Sequence, residues 1–252
     1  MVTILSGPIL KSVADIAKAL GIDTFELHAE GAVATMRAMD PSGVMLIEAT
    51  MPTPEPVPEP VSWRHDTKRF LEAAKPFFAD SRVEVDNGTK WNNCTFKVGR
   101  RRRTLSLLDP LGPEAKPLKV PKALPWMASF TLPHITLKRM LSESDSIETF
   151  SGTDIGVVNI SIRDGELRLT KGIEGTDRYE DAPLAGITGP DGALVPDCGA
   201  DFTDSFLAAV IKPCVGKEMR VHLGTDLPIA FEYDIAGGKA FALCAPWMGM
   251  GE

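Results

Sequence analysis

Lysine and arginine recur on the stretches of this sequence that are predicted to form helices. Lys11 and Lys18 are seven residues apart, as are Lys68 and Lys75, so each pair lies on one helix face. Cations grouped on a face attract phosphate groups without reading a base sequence. A single basic residue also serves simply to solvate a helix, but the recurrence on every predicted helix indicates one shared basic surface. The candidate set is Lys11, Lys18, Lys68, Arg69, Lys75, Lys138, Arg139, Lys212 and Lys217.

Motifs of known catalytic chemistry are absent from the sequence. It contains no GxGxxG, GxxxxGK[ST], GxSxG or HExxH pattern. The 4 cysteines and the 4 histidines are scattered, without CxxC or HxxxH spacing. We therefore predict no catalytic residues, no metal site, no cofactor, and a reducing intracellular compartment. A triad assembled from distant residues stays open as an alternative, because sequence spacing does not reveal it.

The net negative charge of the chain argues against some classes of binding partner. The chain has 252 residues and a net charge of −7, whereas a conventional nucleic-acid binder carries excess positive charge. A protein that concentrates its cations on one surface is still compatible with this balance. The apolar runs are too short for a transmembrane helix, and the first residues lack a signal-peptide pattern.

A β-hairpin is predicted over residues 31–49, with a tight turn at Asp40–Gly43. Proline and glycine in this turn suit the backbone angles of a type I turn. Apolar residues occur on both faces of the hairpin, although only one face is needed for a core. Met39, Val44 and Leu46 lie on the second face, where a fully buried strand pair is the alternative to a binding surface.

The predicted elements occur in two similar series. Amphipathic helices are expected at 9–20 and 66–78 in the first half, and at 135–144 and 201–212 in the second. Short strands with Asn-Gly, Asp-Gly or Gly-Gly turns separate them. The sequence thus predicts an α+β chain of two similar domains, each with antiparallel sheets and two helices.

Two proline-rich stretches interrupt these series. Residues 52–60 (PTPEPVPEP) are predicted to be a stiff, extended surface connection, because proline cannot donate ladder hydrogen bonds. Residues 108–127 lack periodicity and are long for a connection inside a domain. We therefore predict an N-terminal domain at 1–108, a connecting loop at 109–127 and a C-terminal domain at 128–252.

Several segments resemble the PCNA family of DNA sliding clamps, in the family's order along the whole chain. The hairpin MRAMDPSGVMLI at 36–47 and the C-terminal segments LPIAFEYDI at 227–235 and FALCAP at 241–246 are the most specific. Ile9–Lys11 is similar to the start of the family's first helix. LKVP at 118–121, followed by Trp126, is similar to its interdomain connecting loop.

The resemblance implies a DNA clamp fold of two like domains, assembled as a trimeric, pseudo-sixfold ring around double-stranded DNA. The implied function is that of a non-enzymatic processivity factor, which tethers DNA polymerase, the clamp loader, ligase and nucleases through short peptide motifs. No membrane partner is implied. The implied location is the cytoplasm, with the nucleoid, in an archaeal type of cell, and the nucleus in a eukaryote.

The resemblance also implies roles for three sets of residues. The basic set defined above faces DNA. A pocket for partner peptides is formed by Met39, Val44, Leu46, Leu118, Val120, Pro121, Trp126, Pro228, Leu243, Ala245 and Pro246. Contacts between subunits pair Arg101 and Arg103 on one edge strand with acids on another, namely Glu174, Asp177, Glu180 and Asp181.

Two alternatives accompany this interpretation. One is an accessory clamp paralogue that acts within a heterotrimer, because the fold would be the same. The other, from a different class, is a hydrolase or a ligand-binding protein with an unrelated α+β fold. The missing catalytic motifs count against the second alternative.

Overall fold

The computed structural model describes residues 2–88, 93–108, 118–144, 156–171, 179–188 and 193–247. The chain divides into two compact units. Unit 1 comprises Met1–Val120 with Asp234–Ala240, and unit 2 comprises Pro121–Tyr233 with Phe241–Glu252. The domain limits at 108 and 128 stay a prediction.

The described residues of unit 1 between 2 and 120 form two helices and six strands. They are β1 (Val2–Leu5), α1 (Gly7–Ala19), β2 (Thr24–Met39), β3 (Met45–Asp66), α2 (Thr67–Ala74), β4 (Val83–Gly88), β5 (Asn93–Val98) and β6 (Arg101–Ser106). One antiparallel sheet has the order β1-β4-β5-β6, and β2 pairs with β3 in a long hairpin. A 3-10 turn, Lys75–Phe77, continues the path of α2.

Local capping fixes the two helices of unit 1. Ser6 accepts a hydrogen bond from the backbone N–H of Ile9, and Asp66 accepts one from Arg69, so each helix begins at a side-chain cap. Gly21, at φ +62°, follows the end of α1 in a conformation that favours glycine. The helices pack against each other, and α2 also contacts β3 and β6.

The proline-rich stretch at 52–60 is part of β3, so the prediction of a separate surface connection is wrong. Proline interrupts the ladder without ending it: Val33 lies opposite Pro52, and Gly31 lies opposite Val57. The extra residues of β3 form bulges, which an antiparallel pair tolerates. Between these two pairs, β3 spans five residue steps, whereas β2 spans two. The alternating prolines of β3 are all exposed.

A histidine lies inside the aromatic core of unit 1. The His65 ring is 5.3 Å from Phe25 and 5.0 Å from Phe70, measured between ring centroids. Its Nδ1 atom has no hydrogen-bond partner among the described residues. Burial lowers the pKa of His65 to about 3, because an imidazolium would be poorly solvated there.

This histidine predicts a loss of stability in acid. The unfolded chain takes up a proton on His65 below its ordinary pKa of 6.5, whereas the folded chain does so only near pH 3. We expect His65 to remove about 2 kcal/mol of folding free energy between pH 6.5 and pH 5. Urea titrations at both pH values should show that His65→Phe lacks this component. An equal pH dependence in the variant would contradict the prediction.

Unit 2 contains two helices and eight strands within its described residues, if the β13–β14 hairpin is included whole. They are β7 (Ala128–Pro133), α3 (His134–Ser144), β8 (Val157–Arg163), β9 (Glu166–Lys171), β10 (Tyr179–Leu184), β11 (Cys198–Thr203), α4 (Asp204–Ile211), β12 (Glu218–Leu223), β13 (Ile229–Ile235) and β14 (Gly238–Cys244). One sheet has the order β10-β9-β8-β11. Strands β7, β12, β13 and β14 are neighbours in that order.

The start of α4 differs from the prediction. Residues 201–203 end β11, which pairs with β8, and the helix begins at Asp204. Residues 201–203 were predicted to be helical, but they pair with β8 as the end of a strand. The strand order β7-β12-β13-β14 repeats the order β1-β4-β5-β6 of unit 1, which confirms the predicted α+β fold of two similar parts.

No helix among the described residues combines the length and the apolar character that crossing a lipid bilayer requires.

Candidate nucleic-acid and peptide interfaces

The two helices of unit 1 present a basic face. Lys11, Lys18, Lys68, Arg69 and Lys75 are all exposed, because the apolar residues of both helices face the core. Lys11 forms an ion pair with Asp15, at 2.5 Å between Nζ and Oδ2. The other four form no ion pair with a described residue. Unit 1 thus offers four cations that are free to attract phosphate.

The basic residues of unit 2 are arranged differently. Arg139 on α3 pairs with Glu143 at 2.9 Å and with Asp181 of β10 at 2.6 Å. Arg139 donates these hydrogen bonds to Asp181 and Glu143, and they raise the pKa of its guanidinium above the ordinary value. Lys138 is half-buried, whereas Lys212 and Lys217 are exposed. The charge available for a polyanion is therefore greater on the helices of unit 1.

The hairpin tip in unit 1 is held by Asp40. Its buried carboxylate accepts hydrogen bonds from the backbone N–H groups of Ser42 and Met45 and from the Ser42 hydroxyl. Gly43, at φ +73°, completes the turn. The cross-strand pair Met39 and Leu46 follows directly. The turn thus presents apolar side chains from a rigid support.

The outward face of this hairpin is apolar at its tip. Met39 is 45% exposed, and Val44 and Leu46 are half-buried. The next pair on the same face is charged, since Arg37 bonds Glu48 at 2.7 Å. We call Met39, Val44 and Leu46 the hairpin patch. An apolar patch with a charged rim is typical of a protein-binding surface.

Leu108, which precedes the connecting loop, and Leu118, within it, are both attached to the β2–β3 hairpin of unit 1. The backbone N–H of Leu108 donates to the Arg64 carbonyl at 3.2 Å, and that of Leu118 donates to the Glu26 carboxylate at 3.2 Å. Glu26 and Arg64 are opposite each other in the β2–β3 ladder. Leu118 and Val120, both predicted pocket residues, are half-buried beside this attachment.

The remaining pocket residues lie in unit 2. Trp126 packs against Phe241, at 6.3 Å between ring centroids, and its indole N–H donates to the Pro228 carbonyl at 3.1 Å. Pro121 is exposed, and Ala245 and Pro246 are half-buried. Leu243 is buried, so its side chain is less open than a contact residue in a pocket would need to be. Among the predicted pocket residues of unit 2, Trp126 is therefore the main candidate for contact with a peptide.

The described residues among those predicted at subunit contacts lie on edge strands. Arg101 and Arg103 are on β6, which ends the sheet of unit 1, and Glu180 and Asp181 are on β10, which ends a sheet of unit 2. Glu174 and Asp177 lie outside the described residues. An edge strand has unpaired backbone groups that can bind another strand.

The edge charges already have partners within the chain. Arg101 bonds Asp80 at 2.7 Å, and its guanidinium lies 5.6 Å from the centroid of the Phe77 ring. Glu180 forms an ion pair with Arg168 at 3.2 Å, and Asp181 forms one with Arg139. Arg102 and Arg103 are exposed and form no ion pair with a described residue. Arg103 is therefore better placed than Arg101 to reach another chain.

Hydrolytic or metal chemistry has little support in the described residues. They contain no group of three or more side chains suited to hold a metal ion. The four cysteines are buried, and burial raises the pKa of Cys94 to about 12, which suppresses its thiolate. Ser129, His222 and Glu232 form a hydrogen-bonded chain, but His222 is buried beneath Trp126. Because Trp126 covers His222, these three hydrogen-bonded residues are better suited to a structural role than to catalysis.

Sequence reasoning placed Asp40 in the hairpin turn without assigning a role to its side chain, and it missed Glu26 and His222. Asp40 had a signal, because aspartate before a turn commonly binds backbone N–H groups two residues on. Glu26 and His222 had none, since their contacts cross from one strand or loop to another. A search against protein-family models finds no match for the chain.

The chain is similar over most of its length to a "DNA polymerase sliding clamp" from Methanococcus maripaludis. The two are 28% identical over an alignment of 245 residues, and 88% of each protein is covered. Among solved structures, the A. fulgidus PCNA bound to the C-terminal region of FEN-1 has a TM-score of 0.76 at 18% identity, with 99% of each chain covered. A Sulfolobus tokodaii PCNA2–PCNA3 complex has a TM-score of 0.69 at 16% identity, covering 98% of this chain and 99% of that one. These likenesses show the clamp fold.

Proposed function

Because this chain is related to archaeal DNA polymerase sliding clamps and has the PCNA-type fold, we propose that it is a processivity factor that encircles duplex DNA. It would hold DNA by topology, so tight binding is unnecessary. Cations on the helices attract phosphates without base readout, and weak contacts permit sliding. The negative charge elsewhere on the surface discourages DNA from binding outside the ring. The role is that of a scaffold at the chromosome, in a nucleoid or a nucleus.

The observation that carries the proposal is the position of the unpaired cations. A chain of net charge −7 exposes Lys18, Lys68, Arg69 and Lys75 on two adjacent helices of one unit. All four lie on α1, on α2 or on the 3-10 turn that continues α2. The exposed Lys212 and Lys217 occur at and beyond the end of a helix in the other unit.

We also propose that the chain assembles as a homotrimer. The free edge of β6 carries arginines, whereas β10 carries acids, so one copy is complementary to the next. The PCNA2–PCNA3 complex of the S. tokodaii relative shows that related proteins also pair unlike chains. Complementary edges within one sequence favour self-association.

The partners we propose are replication and repair proteins that present a short apolar peptide. The hairpin patch in unit 1 and the surface around Trp126 in unit 2 would each receive anchors of such peptides. The bound FEN-1 segment in the A. fulgidus PCNA structure supports this class of partner. DNA polymerase, the clamp loader and ligase are proposed on the same basis.

Replacing Lys18, Lys68, Arg69 and Lys75 by alanine tests the DNA-facing assignment. We expect product length on primed circular DNA, with a family-B polymerase and a clamp loader, to fall about tenfold as phosphate attraction is lost. Light scattering should still give about three times the chain mass of 27.2 kDa.

A matched control removes equal charge elsewhere. Arg82, Lys97, Arg163 and Lys239 are exposed and lie outside the helices and the predicted peptide pocket. Their combined change to alanine should leave product length nearly unchanged. Equal losses in the two variants, or no loss in the first, would overturn the assignment.

A further inference from the structure

We infer that His222 is a positioning residue, which fixes the plane of the Trp126 indole for a partner peptide. The inference rests on the proposed peptide-binding function and adds a residue to it. Both side chains belong to unit 2, and the conclusion follows from their contacts with each other and with two neighbouring strands.

The indole of Trp126 is restrained on its ring face and at its polar end. Its ring centroid lies 4.9 Å from that of His222, with 33° between the planes. Its N–H group donates to the Pro228 carbonyl, whose residue follows β12 and precedes β13. The stacking contact opposes rotation of the indole about its side-chain bonds, while the hydrogen bond sets the direction of the indole N–H.

The imidazole of His222 is itself held at both nitrogens. Nδ1 is 2.7 Å from the Ser129 hydroxyl on β7, and Nε2 is 3.1 Å from the Glu232 carboxylate on β13. His222 is only 7% exposed and lies on β12, between those two strands. A ring with two such partners on flanking strands has little freedom to turn.

Charged groups of both signs lie near the hydrogen-bonded residues Ser129, His222 and Glu232. Arg220 lies opposite Glu232 in the ladder and shares the face of β12 that carries His222. Lys122 lies 6.0 Å from the centroid of Phe241, the second ring that packs on Trp126. The Glu232 side chain is 48% exposed, so solvent screens its charge. Hydrogen-bond geometry therefore decides the orientation of His222 more than charge does.

A fixed indole favours binding because its orientation is set before the peptide arrives. A mobile indole would be ordered only on binding, and that entropy loss weakens affinity. We expect His222→Ala to raise the Kd for a peptide about tenfold. Glu232→Ala should act in the same direction, whereas Glu232→Gln keeps an oxygen acceptor for Nε2 and should retain affinity close to the wild type.

The test uses the full chain and a synthetic peptide of the A. fulgidus FEN-1 C-terminal region. Calorimetry gives Kd, and NMR of the indole N–H groups, assigned with Trp126→Phe, reports the state of Trp126 without peptide. The inference predicts a shifted or broadened Trp126 signal and weaker binding in both alanine variants, and neither change in Glu232→Gln. Urea titrations confirm that each variant is folded, and His222→Phe provides a variant that keeps a buried ring.

The outcomes separate this inference from the proposed function. If Trp126→Ala weakens binding while His222→Ala and Glu232→Ala do not, the positioning role is overturned and the peptide-binding function stands. If Glu232→Gln weakens binding as much as Glu232→Ala, hydrogen-bond positioning is also overturned. If the wild-type chain does not bind the peptide, or Trp126→Ala binds as tightly as wild type, the proposed role of Trp126 fails, and the inference fails with it.

Discussion

Met39→Glu should abolish partner-peptide binding, with a loss of affinity of about 100-fold or more. Met39 lies at the exposed tip of the hairpin patch, opposite Leu46. A peptide anchor seated there would bury the new carboxylate, and such burial is strongly unfavourable, because the nearest cation on that face, Arg37, is already paired with Glu48. The hairpin itself should stay folded, because the Asp40 hydrogen bonds and the core face are unchanged. Calorimetry with the FEN-1 peptide measures the effect.

Val33→Glu is a matched control for this prediction. Val33 lies on the same face of β2 and is 43% exposed, against 45% for Met39, but it is at the far side of the Arg37–Glu48 pair. It adds the same charge to the same strand outside the hairpin patch. We expect near wild-type affinity. Equal losses in the two variants, or normal binding by Met39→Glu, would show that peptides bind elsewhere.

Reversing Arg102 and Arg103 to glutamate should convert the proposed trimer to monomers. The change puts negative charge on β6, where the proposed neighbour presents Glu180 and Asp181 on β10. Like charges across an interface are strongly unfavourable, so we expect subunit affinity to fall at least about 100-fold. Arg101 is left in place because its bonds to Asp80 and the Pro76 carbonyl stabilise unit 1.

Light scattering over a range of concentrations measures this change. The wild type should give about three times 27.2 kDa and the variant about that single mass. Arg163→Glu together with Lys239→Glu adds the same charge at exposed sites away from β6 and β10, and should leave the trimer intact. A trimer that persists in the β6 variant would rule out β6 as the contact strand.

Local sequence signals predicted the elements well where a residue acts on its own neighbours. The turn at Asp40–Gly43 and the apolar helix stripes depend on residues a few positions apart. The failures were non-local. Residues 52–60 became part of β3 because β2 pairs with them, and residues 201–203 became a strand because β8 does.

In the candidate surfaces, too, features set by local sequence were predictable and features set by contacts between distant residues were not. The exposure of the helix cations follows from helical periodicity, so it was visible in the sequence. The ion pairs of Arg139 and Arg101 were not visible, because Asp181 and Asp80 approach them only in the folded chain. The stacking of Trp126 on His222 likewise joins residues that are far apart in sequence. The roles assigned to these surfaces stay predictions.

The central claim is that the protein is linked to DNA by topology, and linearisation of the DNA tests it most directly. Labelled protein is loaded on singly nicked circular DNA with a clamp loader and ATP, isolated in high salt, and then treated with a restriction enzyme. We predict retention on the intact circle, release when the circle is cut, and renewed retention when bulky groups block both ends. Release from the intact circle in high salt, or equal retention before and after cutting, would contradict the account.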